Sequence, residues 1–134
     1  MRVLIENYRN RTAGHCGSGA MHNLLYHYCK LDLPEAVVFG LGAGLDSVFF
    51  TIEGVKPPFM LFGRGATMEV DLAETLGVDY RETIEADNEV AWQAVRQEVC
   101  EGRPTMLSGD IYYLDYRNFK VHFPGHRFVL LGFD

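Results

Sequence analysis

Apolar residues recur along this chain in two rhythms, and the change from one to the other marks out its elements. From residue 16 the spacing is helical: Cys16, Ala20, Leu24 and Tyr28 fall four apart, and Met21 and Leu25 widen the stripe. A first helix is therefore predicted to begin near Cys16. Asp32 and Pro34 open a shorter helix over "LPEAVVFGL", which runs into the glycines of "FGLGAGL". The rhythm then changes to short runs rich in aromatic and branched residues, "SVFFTIE" and "PFMLFG", read as strands on either side of "GVKPP". "EVDLAETLG" predicts a helix closed by Gly77, and "VDYRETI" a strand. Asp87 or Asn88 caps a helix through about Cys100, with Glu89 favourable in its first turn, Trp92 expected in the core, and Gly102 and Pro104 as the stop. "PTMLSGDIYYLDY" and "HRFVLLGFD" read as strands, and "FVLL" is apolar enough for burial on both faces. Leading helices followed by mixed strands give an α+β class.

No repeat or low-complexity tract interrupts this pattern, so residues 1–134 read as one domain, long enough to bury roughly two-thirds of its unfolded surface. An apolar strand directly before Asp134 ordinarily turns back on itself. The expectation is thus an N-terminal domain or fragment lacking later strands, with an open sheet edge through which copies can pair.

Charge narrows the choice of partner. With 12 Lys and Arg against 18 Asp and Glu, the formal charge of -6 lacks the basic excess that nucleic acids and anionic membranes select. Cys16, Cys29 and Cys100 are widely spaced, with no CxxC pair, which fits a reducing compartment. Neither a signal-type apolar segment nor a run of about 18 apolar residues occurs, so a cytoplasmic protein is expected.

The chemistry concentrates in "TAGHCGSGAMHNLL". A thiol at a helix N-terminus or beside an imidazolium becomes a better nucleophile. Gly14, Gly17, Ser18, Gly19 and Ala20 leave room for a carbonyl substrate to reach the sulfur and the first-turn amides. Cys16 can equally be a small residue at the start of a core helix; the pattern supports both readings. Cys29 and Cys100 have no such surroundings and read as buried packing residues.

A nucleophilic cysteine needs a base from elsewhere in the chain. Among the five histidines, His15 points away from Cys16, and His22 and His27 lie within the first helix. His126 stands at the mouth of a strand after a Pro-Gly turn, with a rigid element behind it. A metal pair of His122 and His126 would need a helix that Pro124 and Gly125 prevent, so no metal is expected. Asp110, in "SGDIYYLDY", is a carboxylate that could orient His126 or grip an amine, and it could equally be a plain strand-end residue. "FGLGAGL" follows a helix rather than a strand, so its glycines, Gly40, Gly42 and Gly44, are read as turning the chain through angles closed to other residues.

"HCGSGAMHNLLYHY", "LPEAVVFGLGAGL", "PPFMLFGRG", "LAETLGVDY", "GRPTMLSGDIYYLDY" and "HFPGHRFVLLGFD" together resemble the N-terminal domain family of butirosin biosynthesis protein H. The resemblance implies a papain-like cysteine acyltransferase fold, with a Cys-bearing helix packed on an antiparallel sheet and no cofactor of its own. It implies that Cys16 takes an acyl group from a thioester on the phosphopantetheine arm of an acyl carrier protein and passes it to an amine, with His126 as the strand histidine. A more distant similarity to double-glycine peptidases implies an oxyanion-binding amide at Asn10. Gly17, Ser18, Arg64 and Tyr112 complete the expected substrate contacts, Arg64 through the phosphate of the arm and Tyr112, with Phe49 and Tyr113, as an aromatic lining. Asp115 departs from the family pattern, where proline is expected. A hydrolase of the same fold and a non-catalytic carrier-binding domain are the alternatives.

Overall fold

The computed structural model describes residues 2–54 and 56–134. The elements follow in the order β1 (Val3–Leu4), α1 (Cys16–Cys29), α2 (Glu35–Leu41), β2 (Val48–Thr51), β3 (Phe59–Phe62), α3 (Met68–Leu76), α4 (Asn88–Cys100), β4 (Thr105–Gly109), β5 (His126–Leu130) and β6 (Gly132–Phe133). The class is α+β. Among the described residues the strands pair antiparallel in three ribbons, β1 with β6, β2 with β3 and β4 with β5.

Helix α1 starts at Cys16, as its apolar spacing predicts, and its buried face carries Met21 and Leu25. These meet Val38 of α2 and Leu72 of α3, and Met106 of β4 packs against the same cluster. Each of these side chains leaves water for apolar neighbours, which is the main drive for seating α1 on the β4–β5 ribbon. The face is turned slightly from the predicted stripe, however, leaving Tyr28 exposed. His22 is buried there with its Nδ1 on the carbonyl of Leu33.

Buried Asn23 then ties the leading loop to the helix: its Oδ1 accepts from the Arg11 N–H, and its Nδ2 donates to the Arg11 and Gly19 carbonyls. Both amide groups are satisfied, so burial costs little. Asp87 caps α4 by accepting from the N–H groups of Glu89 and Val90, and Gly77 closes α3 in the left-handed conformation, φ 64°.

Several expectations are corrected. Residues 78–84 form no strand; Val78 and Tyr80 do pack against the core, but among the described residues no strand pairs with them. Beyond Gly109 the chain forms 3-10 turns at Ile111–Tyr113 and Asp115–Arg117 instead of continuing as a strand. β5 is half-buried, not enclosed on both faces, and the last strand is paired, with β1. Cys29 and Cys100 are exposed, and Trp92 is 38% exposed, its ring edge-on to Phe133. Gly42 has an ordinary φ of -83°, and the left-handed residue of that turn is Ala43, φ 51°. Gly42 is required by space, since a Cβ there would lie 2.7 Å from the Met68 carbonyl.

Candidate functional site

Cys16 is the first residue of α1, half-buried, and opens into a cavity of about 210 Å3. The other lining residues are His15, Phe62, Gly63, Arg64, Phe123, Gly125 and Arg127. The first-turn amides of a helix have no intrahelical acceptor, so those of Cys16 and Gly17 suit the oxyanion that forms on a carbonyl oxygen when a sulfur attacks its carbon.

The helix start is held from three sides. His15 is the N-cap, its Nδ1 accepting from the Ser18 N–H at 3.2 Å, which assigns the ring proton to Nε2. Burial, reinforced by the charge of Arg64, holds the His15 pKa below its ordinary value and so favours this neutral form. Glu35 of α2 accepts from the N–H groups of Gly14 and His15, both at 2.9 Å, and from the Ser18 hydroxyl at 2.8 Å. Burial would raise its pKa, but these donors outweigh it and keep Glu35 ionised below the usual range. Gly17 sits against α3, where a Cβ would lie 2.9 Å from Met68 Cε and 3.1 Å from Glu69 Oε1.

Glu69 is buried, with a side chain 4% exposed, and each oxygen holds one arginine of the cavity. Arg64 Nη1 donates to Oε2 and Arg127 Nε to Oε1, both at 3.1 Å. Arg127 also donates to Ser108 Oγ. Burial pushes Glu69 up, yet its own backbone N–H and then the two guanidiniums hold its pKa below the ordinary value.

Strand alternation decides what β5 presents to this cavity. Arg127 pairs across the ribbon with Ser108, and Val129 with Met106, on the face that meets α1 and α3. His126 pairs with Gly109 on the other face, where its ring stacks on Phe128 at 6.3 Å. The structure therefore brings Cys16 to the strand of His126, while the side chain that β5 sends into the cavity is Arg127. Asp110 binds a different imidazole from the expected one: its Oδ2 lies 2.7 Å from His122 Nδ1, and its Oδ1 accepts from the N–H groups of Tyr112 and Phe123. Burial acts upward on Asp110, but these three partners hold its pKa low.

The remaining expected contacts lie apart from Cys16 or serve the fold. Ser18 is fully buried and bonded to Glu35. Asn10 is exposed, its Oδ1 accepting from Asn23 Nδ2. Tyr112 stacks on His122 at 4.1 Å, Tyr113 and Phe49 are exposed, and none of the three lines the cavity. Arg64 does line it. Arg127, Glu69 and Glu35 are the residues that reading the sequence missed; each joins the site by a contact across the fold, without a local motif. A shallower concavity of about 340 Å3 over the β1–β6 ribbon brings in no thiol or imidazole.

A family model described as "Butirosin biosynthesis protein H, N-terminal" matches residues 15–134, from the residue before Cys16 through every wall of the cavity. No curated protein and no solved structure shows a detectable match.

Proposed function

Since the chain belongs to the family of the N-terminal domain of butirosin biosynthesis protein H, we propose that it is a papain-like cysteine acyltransferase acting in secondary-metabolite biosynthesis. The observation that carries this reading is the placement of Cys16: first residue of a helix, open to a cavity, and on the helix that packs against β5, the strand that His126 begins.

In the first step the Cys16 sulfur attacks the carbonyl carbon of a thioester, forming an S–C bond and a tetrahedral oxyanion that accepts hydrogen bonds from the first-turn amides. Collapse breaks the bond to the donor sulfur, which leaves as a thiol carrying the proton that the base took from the Cys16 thiol as it attacked. An amine then attacks the acyl-Cys16 carbon, loses its proton to a base and releases the Cys16 thiol. The donor is a thioester on the phosphopantetheine arm of an acyl carrier protein, and the acceptor an amine-bearing small molecule.

The family resemblance gives the base role to His126, which would have to turn its ring from Phe128 toward the cavity. A second imidazole is favoured by a specific contact. Asp110 on Nδ1 of His122 fixes that ring in the orientation of a carboxylate-supported base, and Phe123 beside it lines the cavity.

The test is intact-protein mass spectrometry after mixing with an acyl N-acetylcysteamine thioester. An acyl adduct on Cys16 is expected, lost in Cys16→Ala; an adduct that persists in Cys16→Ala overturns the reading. Of His126→Ala and His122→Ala, the variant that loses turnover by about 100-fold or more identifies the base. Adding amines separates transfer, which yields an amide, from hydrolysis, which yields the acid.

A further inference from the structure

Resting on Cys16 as the acyl-carrying residue, we propose that the acyl group accepted here bears a carboxylate, held by Arg64 and Arg127 within a few bonds of the reacting carbonyl. Two guanidiniums face one carboxylate in this cavity, so the cluster of Arg64, Glu69 and Arg127 carries one net positive charge. Glu35 does not cancel it: that carboxylate lies outside the cavity lining and is taken up by Gly14, His15 and Ser18. His15, capping α1 through Nδ1, is held neutral.

Both arginines keep donors for a ligand. Among the described residues Arg64 Nη1 is bonded to Glu69 and the Gly65 carbonyl, and Arg127 uses Nε and Nη1. The Nη2 atoms have no such bond, and neither is a buried atom lacking a partner, so both reach open space. Guanidinium N–H groups fixed in this way match a planar carboxylate. Glu69 is the part that fixes them, since each of its oxygens holds one arginine at 3.1 Å across 5 and 58 residues of sequence. Phe62 and Phe123 supply apolar wall for the carbon chain between the carboxylate and the carbonyl.

The size of the cavity identifies which anion. The phosphate of a phosphopantetheine arm lies at the far end of the arm from the thioester, whereas the arginines and the Cys16 sulfur share one space of about 210 Å3. An anion held there belongs to the acyl group.

Iodoacetate and iodoacetamide deliver nearly the same group to a thiol, one with a carboxylate and the other with an amide. The test measures, for each cysteine of the intact chain, the ratio of its alkylation rates by the two reagents at 0.15 M salt, with sites assigned by peptide mass. Cys29 and Cys100 are exposed and act as internal references. The ratio at Cys16 is expected to exceed theirs by about tenfold, and Arg64→Gln and Arg127→Gln are each expected to lower it several-fold. Equal ratios at all three cysteines, or a Cys16 ratio unchanged in both variants, overturn the proposal. Should either variant unfold, the wild type still decides: glutarate must slow iodoacetamide at Cys16 more than glutaramide does, and equal slowing overturns the proposal. The nucleophile reading fails separately, if Cys16 reacts with iodoacetamide no faster than Cys29, because the ratio of the two reagents does not depend on that comparison.

Discussion

Gly17 and Gly40 lie in successive helices and should respond to an added methyl group in opposite ways. At Gly17 the Cβ meets Met68, Glu69 and His15 within 3.1 Å, while at Gly40 it meets nothing within 4 Å. Thermal unfolding should show Gly17→Ala destabilised by about 1–3 kcal/mol and Gly40→Ala stabilised by about 0.5–1 kcal/mol through a less disordered unfolded chain. Equal shifts for the two would refute the close packing of α1 on α3. His15 carries a second prediction at this scale. Its folded pKa lies below the ordinary value, so between the two values the unfolded chain binds more protons and stability rises with pH. That contribution is complete above about pH 6.5 and fades as pH falls through the folded value, when protonation of Nδ1 removes the acceptor for the Ser18 N–H. An NMR titration of His15 with a midpoint at or above 6.5 would contradict it. The place of Cys16 at the start of a helix was legible in the sequence because its cues are local: glycines, a neighbouring histidine and the onset of a helical stripe. Arg127 and Glu69 gave no such cue, being 58 residues apart and joined only by folding.

Between elements, the seat of Cys16 depends on α2. Glu35 reaches from its first turn to Gly14, His15 and Ser18, so it fixes both the loop before Cys16 and the turn after it. Glu35→Ala should cost about 1–3 kcal/mol, because it leaves partly buried donors unpaired. It should also change the alkylation rate of Cys16 several-fold while leaving that of Cys29 unaltered; parallel behaviour of the two thiols would reduce Glu35 to a general stabiliser. The helices were legible because caps and four-residue spacing are properties of one segment. Strands were less so: the inward and outward alternation holds at Val78, Asp79 and Tyr80 but stops there, since residues 81–84 are all exposed, and among the described residues no strand pairs with them. For the same reason the position of His126 at the mouth of β5 could be read, but the face it takes could not. That face follows from the pairing of Gly109 with His126 and Ser108 with Arg127, and a shift of one residue would exchange the histidine for the arginine.

Across the whole molecule, the helices α1, α2 and α3 supply the buried centre, the β4–β5 ribbon packs on it, and among the described residues the three ribbons do not join into one sheet. The α+β class was legible from the order of helical and strand rhythms, whereas the division into ribbons depends on long-range pairing. Glu69 links this architecture to the site, since α3 holds through it both the turn after β3 and strand β5. Its folded pKa is depressed, so the unfolded chain takes up the greater number of protons in acid. The stability it contributes is therefore present above the usual carboxylate range, near pH 4.3, and is lost as pH falls through the folded value. Glu69→Gln should lower stability at pH 7 by about 3 kcal/mol, because two half-buried guanidiniums lose their counter-charge. Below about pH 4.3 the variant should lose stability less steeply than the wild type, since one of the acid-labile carboxylates is gone. Urea midpoints measured from pH 3 to 7 test both halves, and curves that run parallel through the acid range would show that the Arg64–Glu69–Arg127 cluster does not anchor the fold.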